Sequence, residues 1–460
     1  MTDSTHLLHE HNMDDTHPTS RLSLCTLPLE SRQTILCHLD DLHTLKAAIL
    51  THSSLYSAFV SHQNVIVYRI LSNIIPPGLM NEAICALSAS VVESEPWTRE
   101  RVVSIIEQYK SPQPPTSLIL CAKQAFQIQD LYHVIEFFSS DFLSAAQSIK
   151  TTGWSRPPSS LEWCRIVRSF YRFQIHRHLF RKRDRRHGKN NKPSPDFSWR
   201  EQWEIWYSDY PVWELEQLAC VSEYLFRKIA IPFNEIAAHD VVWGSRGIVF
   251  GYNEAWEFDY GATHITALLS EGLPFLAEVI TADSYEERYR LLTPKATRIA
   301  IFLPSDVQDI FHSDIDERVS LKDYTAEQLK SLEGSKRSDT DPGPAEAWRH
   351  AHLELNWPAF VCSYEVHDLQ RWGYVMWDYA RLVEMGFFDS SVVLSDLPEG
   401  PDVAREERIV ESLVTRRKLY QKGARGWWAE GDESRLEWEE PLEVSDEEED
   451  IEHFKLRIML

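Results

Sequence analysis

Apolar residues recur every three to four positions along most of this 460-residue chain, interrupted mainly by short Pro- and Gly-containing breaks. A period near 3.6 places such residues on one face of a helix. The chain is therefore expected to be mainly α: a short three-helix N-terminal module, then a large irregular helical domain.

Leu29, Ile35, Leu36 and Leu39 mark the apolar face of a first helix beginning near Pro28, where proline suits the opening turn. Asp40 or Asp41 can cap a second helix with Leu42, Leu45 and Ile49 on one side. Leu55, Phe59, Ile66 and Ile70 line a third, which runs toward Ile74 and stops at Pro76-Pro77-Gly78. The period continues over 79–90, 98–110, 117–150 and 159–181. Trp199, Trp203 and Trp206 then fall at i, i+4 and i+7 of another helix. Further helices are expected over 211–230, 265–281, 284–292, 346–355, 368–386 and 403–422. Segment 241–264, with glycines and β-branched residues, predicts a large loop or a small hairpin. Segment 298–306 is either a strand or a buried helix by length. No period of 20–50 residues repeats, which argues against a regular solenoid.

Four regions follow from this pattern: a disordered stretch over 1–22, the module over 23–75, a helical body over 79–429, and an acidic C-terminal tail over 430–460. The body contains a basic linker, 181–196, and a loop, 333–346, flexible by composition.

The core can be large. Hydrophobic residues make up 43% of the chain, with 16 Trp, 17 Tyr and 20 Phe. Charge is uneven. The formal net charge is −23, and Glu430–Glu452 holds thirteen acids against one base. Arg181–Lys192 holds seven Lys or Arg and one Asp. The acidic total argues against nucleic-acid or anionic-membrane binding. The basic run is a solvated linker or a nuclear import signal, and lacks the interleaved aromatics that a nucleic-acid contact wants. Seven scattered cysteines with no C-x-x-C spacing fit reduced thiols. No signal peptide or membrane span is expected, which places the chain in the cytoplasm, the nucleus or both.

Motifs for catalysis are absent. Ser245 in "WGSRG" has Trp243 where a nucleophile elbow needs glycine, and no phosphate-cradling glycine loop occurs. His176 and His178, like His350 and His352, lie two apart and point to different sides of a helix. His6, His9 and His11 sit in a polar tail that ordering would penalise. No metal, no cofactor and no enzyme activity are expected.

The opening stretch carries the functional signal. Leu27-Pro28-Leu29-Glu30, Ile35-Leu36, Leu39, Asp41-Leu42, Leu45 and Ser54-Leu55-Tyr56 resemble an F-box. In this chain Ser31-Arg32 follows Glu30 where that family has an apolar residue, and Tyr56 stands where it often has Trp. "RWGYVMWDYARL" (371–382) and "WELEQLACVSEYL" (213–225) are similar to elements of uncharacterised fungal proteins that open with a degenerate F-box and continue as Trp-rich helices. The resemblance implies docking on a Skp1-type adaptor of a cullin–RING ubiquitin ligase, with the body recruiting an unknown protein substrate. Leu27, Pro28, Ile35, Leu36, Leu39, Leu42 and Leu45 are then the expected adaptor-facing residues. The alternative is a helical scaffold that uses these leucines internally. An enzyme with dispersed catalytic groups is a third possibility.

Overall fold

The computed structural model describes residues 24–94, 97–111, 120–150, 153–180, 183–184, 197–251, 260–296, 300–301, 320–335, 339–353, 355, 361, 366–389 and 403–441. The basic run, apart from Arg183–Asp184, the histidines of the first 22 residues and the tail beyond 441 lie outside them. The described residues are mostly helical, as the period requires. No helix among them is long and apolar enough to cross a membrane.

The chain divides into two compact units. Unit 1 comprises the residues up to Ile74 together with Ser117–Phe126, and unit 2 the remainder. In unit 1, α1 (Leu29–Cys37) and α2 (Leu42–Thr51) both pack on α3 (Ser53–Ile74). Asp41 caps α2, its carboxylate accepting the Thr44 backbone N–H at 2.6 Å. Leu36, Leu42 and Leu45 are buried, as are Leu55, Phe59, Ile66 and Ile70 of the helix on which α1 and α2 pack. Polar links tie the helices: Arg32 donates to the Ser54 carbonyl at 2.8 Å, Gln33 to the Ser61 hydroxyl at 2.9 Å. Arg32 thus fastens α1 to α3. α3 is kinked, with φ −142° and ψ 27° at His62. The preceding Ser61 hydroxyl donates to the Ala58 carbonyl, a back-bond that bends helices.

Unit 2 is built on two long central helices. α7 (Ser160–Leu179) opens with a capping box, in which Ser159 and Glu162 exchange side-chain-to-backbone hydrogen bonds. α9 (Val212–His239) opens at Pro211. α4 (Met80–Ser94) and α9 pack on α7, and α5 (Arg99–Lys110) packs on α4. α6 (Ala122–Ile149) contributes Phe138 and Phe142, whose rings meet Phe170 and Tyr224 at 5.3–6.5 Å. α8 (Trp199–Gln202) widens into a π turn at Trp203–Tyr207. That extra residue per turn shifts the tryptophan register, so Trp206 and Tyr207 are both fully buried.

Around α9 lie α10 (Val241–Ser245), α11 (Tyr260–Leu269), α12 (Leu273–Thr281) and α13 (Tyr285–Ala296). The chain goes on through α14 (Ala326–Ser331), α15 (Gly343–His352), α16 (His367–Trp372), α17 (Tyr379–Glu384) and α18 (Val403–Gln421). β1 (Arg183–Asp184) pairs antiparallel with β2 (Ala300–Ile301). β3 (Ala424–Gly426) pairs with β4 (Leu436–Trp438), Ala424 facing Trp438.

Five expectations change. α9 does not stop at 230 but runs through Pro232, because Phe233, Ile236 and Ala237 continue its buried side. Segment 241–264 begins as helix, since the Asp240 carboxylate accepts the Trp243 backbone N–H at 2.8 Å and caps α10. The helix expected over 368–386 breaks at Gly373, which adopts a left-handed φ of 70°. Leu369, Trp372, Met376, Tyr379 and Val383 therefore do not share one face: Trp372 and Met376 are buried, Tyr379 and Val383 exposed. The loop over 333–346 is anchored where it is described, Asp339 being buried against Arg165. The boundary at 429 falls inside the β3–β4 hairpin, so the acidic stretch begins in the connection between the two strands and runs into β4 rather than starting as a tail.

Candidate functional site

In unit 1 the seven expected adaptor-facing residues divide. Leu36, Leu42 and Leu45 are buried in the module's own core, Leu27 and Leu39 are half-buried, and Pro28 and Ile35 are exposed. The buried three hold the helices together and offer little area to a partner. Of the seven, Ile35 is among the large apolar side chains the unit presents outward; the others are Leu24, Leu29, Leu50, Tyr56, Val60, Val65 and Tyr68. Half of the large apolar side chains exposed among the described residues are in this short unit.

α3 explains much of this. Leu55, Ala58, Phe59, Ile66, Val67, Ile70 and Leu71 form one apolar stripe, turned inward. Tyr56 and Val60, before the kink, and Val65 and Tyr68, after it, form outward apolar pairs at i, i+4 and i, i+3. A surface helix usually has one such stripe. Around the kink lies an open groove of about 570 Å³, lined by Val60 to Val65 with Leu120 and Cys121. Its lining carries no Asp, Glu, Lys or Arg, so it suits an apolar or hydrogen-bonding occupant rather than an ion.

Unit 2 does the opposite and places charge inside. From Arg165 to His176 almost every residue of α7 is buried, as is every residue of α9 from Val212 to Phe226. Glu162 receives both arms of the Arg381 guanidinium, at 2.7 and 2.8 Å, and the Asp378 backbone N–H at 3.0 Å. Burial opposes the Glu162 charge, but these donors and the Ser159 N–H outweigh it and hold the carboxyl below its usual range. Arg165 binds Asp339, Asp378 at 2.8 Å and the Met376 carbonyl at 2.9 Å. For Asp339 too, burial is outweighed by the arginine and the pKa falls. Arg172 bonds Glu214 at 2.7 Å and lies over the Tyr210 ring at 4.1 Å.

α9 supplies a second row. Glu216 accepts from Gln370 at 3.0 Å and Tyr374 at 3.1 Å, Gln217 donates to the Val375 carbonyl, and Glu223 meets His367 at 3.3 Å. The two rows fasten the chain over 339–341 and 366–381 onto the central helices. They are structural joints, since each charge is matched to a group of this chain.

The remaining sequence candidates take ordinary places. His176 is buried against the Tyr207 hydroxyl at 2.6 Å, and burial lowers its pKa to about 3. His178 contacts Gln174 and Arg177. His352 bonds the Trp348 carbonyl, and His350 meets the Phe387 and Phe388 rings edge-on. The Ser245 hydroxyl donates to the Val242 carbonyl. Cys37, Cys85, Cys121, Cys164 and Cys220 are free thiols. Among the described residues, no group of three or more His, Cys, Asp or Glu has the spacing to hold a metal.

No family model matches the chain, and no curated protein or solved structure matches it either.

Proposed function

We propose that the chain is a protein-docking adaptor of the F-box kind. Unit 1 holds a Skp1-type adaptor, and unit 2 presents a partner protein to the ubiquitin ligase. The observation that carries this is the two outward apolar pairs of α3, Tyr56 with Val60 and Val65 with Tyr68, exposed on either side of its kink. Covering such side chains is worth roughly 1.5–3 kcal/mol each when burial is complete, and an exposed apolar patch of this kind marks a docking surface. The L-P-x-E opening at Leu27–Glu30 supports the choice of partner class.

The test is direct binding of a purified Skp1-type adaptor to the intact chain, followed by calorimetry. Tyr56→Asp with Val60→Asp is expected to abolish binding while leaving circular dichroism unchanged. A well-folded chain that ignores the adaptor would sink the F-box proposal and leave a helical scaffold.

A further inference from the structure

A second apolar surface lies on unit 2. α17 sets Tyr379 and Val383 four residues apart on one side, both exposed. The Tyr379 ring stacks on Phe388 with centroids 5.3 Å apart. Phe388 meets Phe387 at 5.3 Å and His350 at 5.5 Å. Leu353, one turn past His350, is exposed as well. Lys150 lies on the buried rings that back this cluster. Its ammonium is 4.7 Å from the centre of the Trp372 ring and 6.0 Å from that of Phe387.

The charges around the patch differ in kind. Glu384 is engaged by Arg156 at 3.8 Å, and Glu346 by Arg349 at 2.6 Å. Lys150 meets rings, and among the described residues no carboxylate pairs with it. Desolvation by burial moves its pKa downward. A cation held on buried aromatic faces, in a weakly polar setting, gains more from an incoming anion than one in open water.

We propose that this surface docks a partner polypeptide segment in which a bulky apolar side chain stands beside a carboxylate. The apolar group covers Tyr379, Val383 and Phe388, and the carboxylate pairs with Lys150. This deepens the adaptor proposal by naming the chemistry of the recruited protein. The surface is also preorganised. Asp341 accepts the Tyr379 N–H at 2.9 Å, Glu162 accepts the Asp378 N–H, and Arg381 of α17 is clamped by Glu162. Little ordering remains to oppose binding.

A displayed library of random short peptides, panned on the intact chain, tests this. Selected peptides are then titrated by fluorescence anisotropy against wild type, Lys150→Gln, Lys150→Arg and Val383→Asp. The expected peptides carry Asp or Glu next to an aromatic residue or leucine. Lys150→Gln should weaken them about tenfold, as loss of a charge-assisted contact does, Lys150→Arg should retain most of the affinity, and Val383→Asp should abolish binding. A selection that gives no binders, binders without an acid, or binders indifferent to Lys150 and Val383 overturns the proposal. These substitutions leave unit 1 untouched. Adaptor binding therefore fails or succeeds separately, and peptide docking without adaptor binding would sink only the F-box assignment.

Discussion

Unit 1 and unit 2 resolve the same constraint in opposite directions. Unit 1 is small, closes its core with a few leucines and the inner stripe of α3, and leaves apolar side chains facing water. Unit 2 is large enough to bury almost all of α7 from Arg165 to His176 and all of α9 from Val212 to Phe226, and it buries their charges with them. A small unit has too much surface for its volume to hide every apolar group. A large one encloses whole helices, and any polar residue on them must then find a partner inside. Surface features of unit 1 are therefore candidates for binding, whereas the charged groups of α7 and α9 are explained by their own partners.

The largest expected effect breaks the interior of unit 2. Glu162→Ala strands Arg381, a guanidinium fully buried among backbone carbonyls, and should destabilise the unit by about 3–5 kcal/mol. Chemical denaturation measures it. Leu36→Ala probes the other core and should remove about 2–4 kcal/mol from unit 1. Hydrogen exchange should show faster opening of α1 to α3, with α7 unchanged. A loss of protection in α7 would mean that the two units do not open separately.

Acid sharpens the contrast. His176 has a folded pKa of about 3 against an ordinary value of 6.5. Below pH 6.5 the unfolded chain takes up this proton while the folded chain refuses it. The stability that neutral His176 supplies is therefore complete above 6.5 and lost progressively toward pH 3. Melting temperatures should fall over that window, and less steeply in His176→Gln. Asp41→Ala removes the cap of α2 and should reduce unit 1 stability by about 1 kcal/mol. Val60→Asp, at an exposed site, should change stability by less than about 0.5 kcal/mol yet abolish adaptor binding. A large stability loss there would put Val60 in a core.

The helices of unit 1 were legible because local signals set them. Pro28, Asp41 and the Pro76-Pro77-Gly78 stop lie within a residue or two of the helix ends. Which leucines face inward was not legible. That depends on how three helices cross, and a period alone gave Leu36 and Ile35 the same standing. In unit 2 the joints are not legible in the sequence because their halves are far apart along the chain. Arg165 and Asp339 are separated by 174 positions, Glu162 and Arg381 by 219. The polar composition of 333–346 suggested a solvated loop, when its aspartates are the counter-charges of a buried arginine. Gly373 was visible, but a lone glycine inside a helical pattern is usually tolerated. At Gly373 the left-handed backbone and the close approach of the Phe142 ring leave no room for a side chain, and Trp372 and Trp377 pack on either side.

The charges sealed inside unit 2 also bear on heat. Removing ions from water becomes less unfavourable as temperature rises, while the gain from burying apolar area levels off. A core held by Glu162–Arg381 and Arg165–Asp339 thus keeps more of its strength on warming than one held by leucines alone. Warmed slowly, the chain should melt in two steps, with the leucine-closed unit first. The part proposed to capture the ligase would then be lost before the part proposed to present its target.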